Sequence, residues 1–274
     1  MSDSFISKLL ELQKHIYDCC VEEDSCHLFG FEAYPRISFT KIGNLYEINY
    51  FGEGANYTPN INVNDEEAFM NYGFSTLCDL ISENDSKIIS LNFDAPDKGA
   101  NGLRPWYFDG LLQANKFDNL VRFTVKRTDP AAHNLVTIDY HEKGMIAKLV
   151  AKMPALEHLE LPSAPNKTFF DIDLLELTEL ILHAGSEHQN FIRHLADATN
   201  LSNLMVLDYA DTFDYAETTP FDDYKSLFSS NFFSKYFLFT LRDPRLTQAN
   251  LKELLNLKEI QLLHLPWFYG SFVD

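Results

Sequence analysis

Leu156-Glu157-His158-Leu159-Glu160-Leu161 and, 21 residues further on, Leu177-Thr178-Glu179-Leu180-Ile181-Leu182 share one pattern, apolar-x-x-apolar-x-apolar. Upstream the pattern recurs as IISLNF from Ile88 and LVRFTV from Leu120. Downstream it recurs as LMVLDY from Leu204, YFLFTL from Tyr236 and LKEIQL from Leu257. The starts lie 32, 36, 21, 27, 32 and 21 residues apart, a mean period of about 28. Each copy is a strand too short to bury its apolar side alone. Stacking the copies gives them one shared core and leaves one long face of strand residues exposed, a surface for binding rather than a pocket for chemistry.

The connectors between copies carry helical stripes at i, i+3, i+4 spacing. Met145, Ile146, Leu149, Val150 and Met153 form one, and Phe191, Ile192, Leu195 and Ala198 another. Pro220 opens a third with Tyr224, Leu227 and Phe228, and Leu251, Leu254 and Leu255 make a fourth. The two 21-residue spacings leave room only for a short helix or a 3₁₀ turn. Strand and helix alternating at this period predict parallel, right-handed coiling.

Ahead of the copies, Phe5, Ile6, Leu9, Leu10, Ile16 and Tyr17 predict a helix, and RISFTK and LYEINYF around Ile42-Gly43-Asn44 predict a β-hairpin. Asn64 followed by Asp65, Glu66 and Glu67 predicts a helix start, since a capping side chain and early carboxylates satisfy free N–H groups. The expected organisation is an N-terminal α+β cap over residues 1–86 (helix, hairpin, helix) and a repeat array over 87–274. Trp267, Phe268, Tyr269 and Phe272 would close its open end.

Residues 88 to about 265 resemble leucine-rich repeat proteins, of the irregular kind found in bacterial cytoplasmic proteins. The resemblance implies an α/β fold: a short solenoid with a parallel sheet on its concave face and helices on its convex face. The family pattern continues to an Asn or Cys that closes the turn after each strand. Here that place holds Pro96, Thr128, Ala164, Gly185, Thr212, Pro244 and Leu265, so a less regular array is expected.

In such strands the first, fourth and sixth residues point inward, while the third and fifth face the open side. The open positions read Ser90 and Asn92, Arg122 and Thr124, His158 and Glu160, Glu179 and Ile181, Val206 and Asp208, Leu238 and Thr240, and Glu259 and Gln261. The candidate partner-binding strip is therefore His158, Glu160, Glu179, Ile181, Val206, Asp208 and Leu238, acidic in the middle with apolar neighbours. Asp211 and Phe213 join it from the segment Asp208 to Glu217, where four acids interleave with Tyr and Phe. Such a strip suits a protein partner that carries Lys or Arg around an apolar centre.

Charge supports the same reading. A net charge of −18 excludes the basic footprint a nucleic-acid binder needs. Residues 1–86 hold 15 acids against 4 bases. No apolar run of about 18 residues is present to span a membrane. The opening MSDSFISKLLELQKH has acids where a secretion signal needs bases, so a cytoplasmic location is expected.

Catalytic motifs are absent: there is no G-x-S-x-G, no phosphate-binding loop and no H-E-x-x-H among His183, His188 and His194. The expectation is a non-catalytic interaction module without cofactors. Its acidity would suit an inhibitor or immunity-type protein covering a cationic active site. The alternative is an enzymatic or metal-binding N-terminal domain presented by a repeat scaffold. Cys19, Cys20, Cys26 and His27 cluster there, but without paired ligand spacing. Cys78 is the remaining thiol.

Overall fold

The computed structural model describes residues 4–22, 36–52, 54, 66–95, 103–126, 135–137, 143–184, 187–211, 218–233, 238–242, 245–257 and 266–269. Its strands are β1 Arg36–Ile42, β2 Leu45–Phe51, β3 Ile88–Asp94, β4 Leu103–Pro105, β5 Arg122–Val125, β6 Leu135–Thr137, β7 His158–Leu161, β8 Glu179–His183, β9 Val206–Ala210, β10 Leu238–Arg242 and β11 Pro266–Tyr269. The helices are α1 Ser4–Glu22, α2 Glu66–Ser82, α3 Met145–Val150, α4 Phe191–Ala196, α5 Phe221–Ser229 and α6 Gln248–Leu255. The fold is α/β. Nine strands form one sheet in the order β1-β2-β3-β5-β7-β8-β9-β10-β11, parallel throughout except for the β1–β2 hairpin.

Strand burial follows the period-2 argument. Leu91 and Phe93, Phe123 and Val125, Leu159 and Leu161, Leu180 and Leu182, Leu207 and Tyr209, and Phe239 and Leu241 are all buried. Fully burying one such side chain stabilises by about 1.5–3 kcal/mol. Helices cover this face. Phe5 of α1 meets Tyr46, Phe74 of α2 meets Tyr50 and Phe93, Phe191 of α4 stacks on Tyr209, and Phe228 of α5 meets Phe239. Buried side chains from Phe5 to Leu254 form one core cluster.

Strands β5, β7, β8 and β9 are entered through the same turn, and α6 ends in it. The amides of Leu120, Leu156, Leu177, Leu204 and Leu257 donate to the carbonyls three residues back, on Phe117, Met153, Leu174, Leu201 and Leu254, and all five of those earlier side chains are buried. Asparagines before two strands tie successive turns together. Asn119 Nδ2 donates to Ser86 O at 2.7 Å, and Asn203 Nδ2 donates to Leu175 O at 2.6 Å. At these two strands, side-chain closure sits on the turn before the strand.

The hairpin turns at Gly43, whose φ of 63° lies in the left-handed region that glycine adopts at low cost. Beyond the hairpin, β2 pairs in parallel with β3 from Glu47↔Ser90 to Phe51↔Asp94, so residues 36–51 supply the first two strands of the same sheet. Of the predicted last copy, Leu257 is partly buried against the core and 258–262 lie outside the described residues. The strand beside β10 is Pro266–Tyr269, with Pro266 opposite Phe239. Trp267, Phe268 and Tyr269 thus belong to an edge strand, while Phe272 lies outside the described residues.

The connectors after β3 and β5 hold something the period does not announce: β4 and β6 pair as a small parallel sheet, Leu103↔Leu135 to Pro105↔Thr137. The chain leaves β4 into the core at Trp106, which packs among Tyr50, Phe74, Phe93 and Phe108. A Cβ at Gly54 would lie 2.1 Å from that indole, so only glycine fits there. Among the described residues, no helix is long and apolar enough to cross a membrane.

Candidate binding surface

The strand face opposite the helices carries two rows of side chains in register. One row runs Glu47, Ser90, Arg122, His158, Glu179, Val206, Leu238 from β2 to β10. The other runs Asn49, Asn92, Thr124, Glu160, Ile181, Asp208, Thr240. The strip residues His158, Glu160, Glu179, Ile181, Val206, Asp208 and Leu238 thus come together on four adjacent strands.

Composition changes along the rows. At the β2–β3 end, Asn92 Nδ2 donates to Asn49 Oδ1 at 2.9 Å and to Ser90 Oγ at 3.1 Å, a short amide ladder. At the β9–β10 end, Val206 and Leu238 are apolar, and Leu238 is 45% exposed. The middle is charged and paired. His158 Nδ1 lies 2.6 Å from Glu179 Oε2 on the next strand. Arg242 Nε donates to Asp208 Oδ1 at 2.7 Å, and Lys126 Nζ stands 3.8 Å from Asp94 Oδ2.

Glu160 differs from its neighbours. Among the described residues, no hydrogen bond or ion pair reaches its carboxylate. Burial raises its pKa above the ordinary 4.5, against the opposing pull of Lys126 and Arg242. Polar side chains around it are sunk: Ser90, Thr124 and His158 are each less than a tenth exposed. Thr124 Oγ1 and His158 Nε2 are buried without a hydrogen-bond partner.

Of the remaining predicted strip residues, Asp211 falls elsewhere. Asp211 is buried, and its carboxylate is turned away from the rows into a network of its own. Oδ1 accepts from Thr219 Oγ1 at 2.9 Å and Oδ2 accepts from the Tyr224 hydroxyl at 2.8 Å. This acid anchors α5 to the end of β9 instead of facing a partner. Phe213 lies outside the described residues, as do Glu259 and Gln261.

Asp94, Lys126 and Arg242 were not among the expected open positions. Each stands at the seventh place of its copy, where simple continuation of the period-2 alternation would have found it. Their presence makes the face mixed in charge rather than uniformly acidic.

Cys19 and Cys20 lie in α1, and Cys26 and His27 lie outside the described residues. Among the described residues, no group of three metal-binding side chains gathers. Cys78 is buried, and burial pushes its thiol well above 9.0, away from the reactive thiolate. His188 Nδ1 accepts the Asn190 amide at 3.1 Å, a structural bond. Compared with known proteins, the chain matches no family model, no curated protein and no solved structure.

Proposed function

We propose that this chain is a non-catalytic, leucine-rich-repeat-like interaction module that holds a protein partner of basic character on its open sheet face. The observation that carries the reading is the pair of uninterrupted side-chain rows across β2–β10, on the face the helices leave uncovered. Stacked strands of this kind present extended surfaces that bind macromolecules. A charged centre beside half-buried Val206 and exposed Leu238 matches the make-up of a protein interface, where apolar anchors give affinity and charges give orientation. The net charge of −18 adds a long-range field that draws cationic partners and raises association rates. Arg122, Lys126 and Arg242 refine this: the partner should bring acids as well as bases, placed in alternation.

The experiment is affinity capture from the source cell with the full chain as bait. Glu160→Lys, Glu179→Lys and Asp208→Lys together should abolish recovery of a basic protein. Reversals on the helical side at Glu11, Asp222 and Glu253 should leave recovery intact. Recovery that survives the first set contradicts the surface assignment.

A further inference from the structure

His158 Nε2 and Thr124 Oγ1 are buried side-chain atoms without a hydrogen-bond partner, and both belong to the sheet face opposite the helices, beside Glu160. Trp106 Nε1 and Asn200 Oδ1 share that condition, but Trp106 is in the core and Asn200 in a turn on the helical side. A buried polar atom left unpaired is costly, so two of them next to an unpaired carboxylate point to a ligand that completes them. We infer that Thr124, His158 and Glu160 form a receptor for a guanidinium group, by which an arginine of the partner anchors to the sheet. The inference rests on the interaction reading above and supplies the chemistry of its anchor.

The hydrogen-bond inventory fixes the ligand class. The Glu179 carboxylate accepts from His158 Nδ1, and in the tautomer that places the hydrogen there Nε2 is an acceptor. The Glu160 carboxylate accepts only, and the Thr124 hydroxyl can accept as well. Three acceptors call for a ligand rich in donors. Thr124 and Glu160 are direct partners across β5 and β7, and His158 precedes Glu160 by two residues on the same face. Strand geometry makes this a triangle of about 5 by 7 Å. A planar guanidinium, with five N–H donors in a rigid fork, can address all three corners, whereas an ammonium donates from a single point. Of the neighbouring cations, Lys126 stands by Asp94 and Arg242 by Asp208, and Arg122, exposed opposite His158, makes no ion pair with Glu160 among the described residues. Glu160 is left as the acid without a counter-ion of its own.

The test uses the full chain labelled at imidazole ¹⁵N and threonine methyl ¹³C. Guanidinium chloride below denaturing concentration is titrated against sodium chloride of equal ionic strength. The expected result is a saturable shift at His158 Nε2 and at the Thr124 methyl, half-complete at about 10–100 mM, in guanidinium only. It should vanish in Glu160→Gln with an unchanged thermal midpoint. Should that variant fail to fold, Thr124→Val carries the test and should weaken affinity about threefold or more. Shifts that are linear, equal in both salts or retained in Glu160→Gln overturn the receptor. Failure here with partner capture still sensitive to Glu179→Lys and Asp208→Lys removes the anchor alone. Saturable guanidinium binding with capture indifferent to those reversals keeps the receptor and overturns the partner reading.

Discussion

His158 and Glu179 face each other across β7 and β8 with Nδ1 and Oε2 2.6 Å apart, so one carboxylate fixes both the orientation and the tautomer of a buried ring. The side chain of Glu179 remains 37% exposed, so water offsets part of the bond. Glu179→Leu strands Nδ1 and should cost about 1 kcal/mol in urea unfolding. A double-mutant cycle with His158→Phe should recover most of that loss, because the ring that needs the carboxylate is then gone.

Thr124 gives the opposite sign. Its hydroxyl is buried with nothing to bond, while valine keeps the shape and drops the polar atom. Thr124→Val should therefore raise stability by about 0.5–1 kcal/mol, read from the denaturation midpoint at unchanged slope.

Glu160 should show the same conflict as a pH dependence. Burial raises its folded-state pKa above 4.5, so the folded form holds the proton more tightly than the unfolded chain. Its contribution to stability is full below 4.5 and is lost as pH rises through the folded value. Glu160→Gln should match the parent at pH 4 and exceed it at pH 7, by less than about 1 kcal/mol given the solvent that reaches the site. Equal stability at both pH values would contradict this.

Alkaline stability tests the helical side. Burial lifts the Cys78 thiol above 9.0 and the Tyr209 and Tyr224 phenols above 10.0, with the Asp211 charge adding to both phenols. The unfolded chain gives up these protons first, so stability should fall as pH climbs past about 9. Tyr224→Phe breaks the 2.8 Å bond to Asp211 and should cost about 2 kcal/mol at pH 7. The same variant should flatten the alkaline decline, measured by thermal unfolding from pH 7 to 11.

Much of the architecture was legible because burial acts on one side of each strand. Leu159, Leu180 and Leu207 repeat at a spacing that only a shared core explains, and their strands pair in chain order. The entry turn was equally present in stretches such as Leu174-x-x-Leu177-x-x-Leu180, where the apolar residue three places ahead of each copy is buried. The place of the hairpin was not legible: β2 joins β3 by long-range pairing that local alternation does not encode. Nor was the β4–β6 pair, three residues long on each side with no period to read. On the candidate face, Glu160, Glu179 and Asp208 fall within the six-residue pattern, whereas Asp94, Lys126 and Arg242 stand at its seventh place, beyond the last apolar residue that defines a copy. Asp211 was misplaced for a different reason. Its donors, Thr219 and Tyr224, are 8 and 13 residues away in sequence and meet it only once α5 docks.

Hydroxyl-radical footprinting of the protein with its captured partner tests the central claim, that the open sheet face is the working surface. Protection should concentrate on Ile181, Val206 and Leu238 of the rows and on the adjoining Met205, which is 58% exposed in the free chain. Leu10, Tyr17 and Leu255 on the helices, exposed at 56%, 59% and 43%, should react as before. Protection of those helical residues with the strand face unchanged would contradict the account.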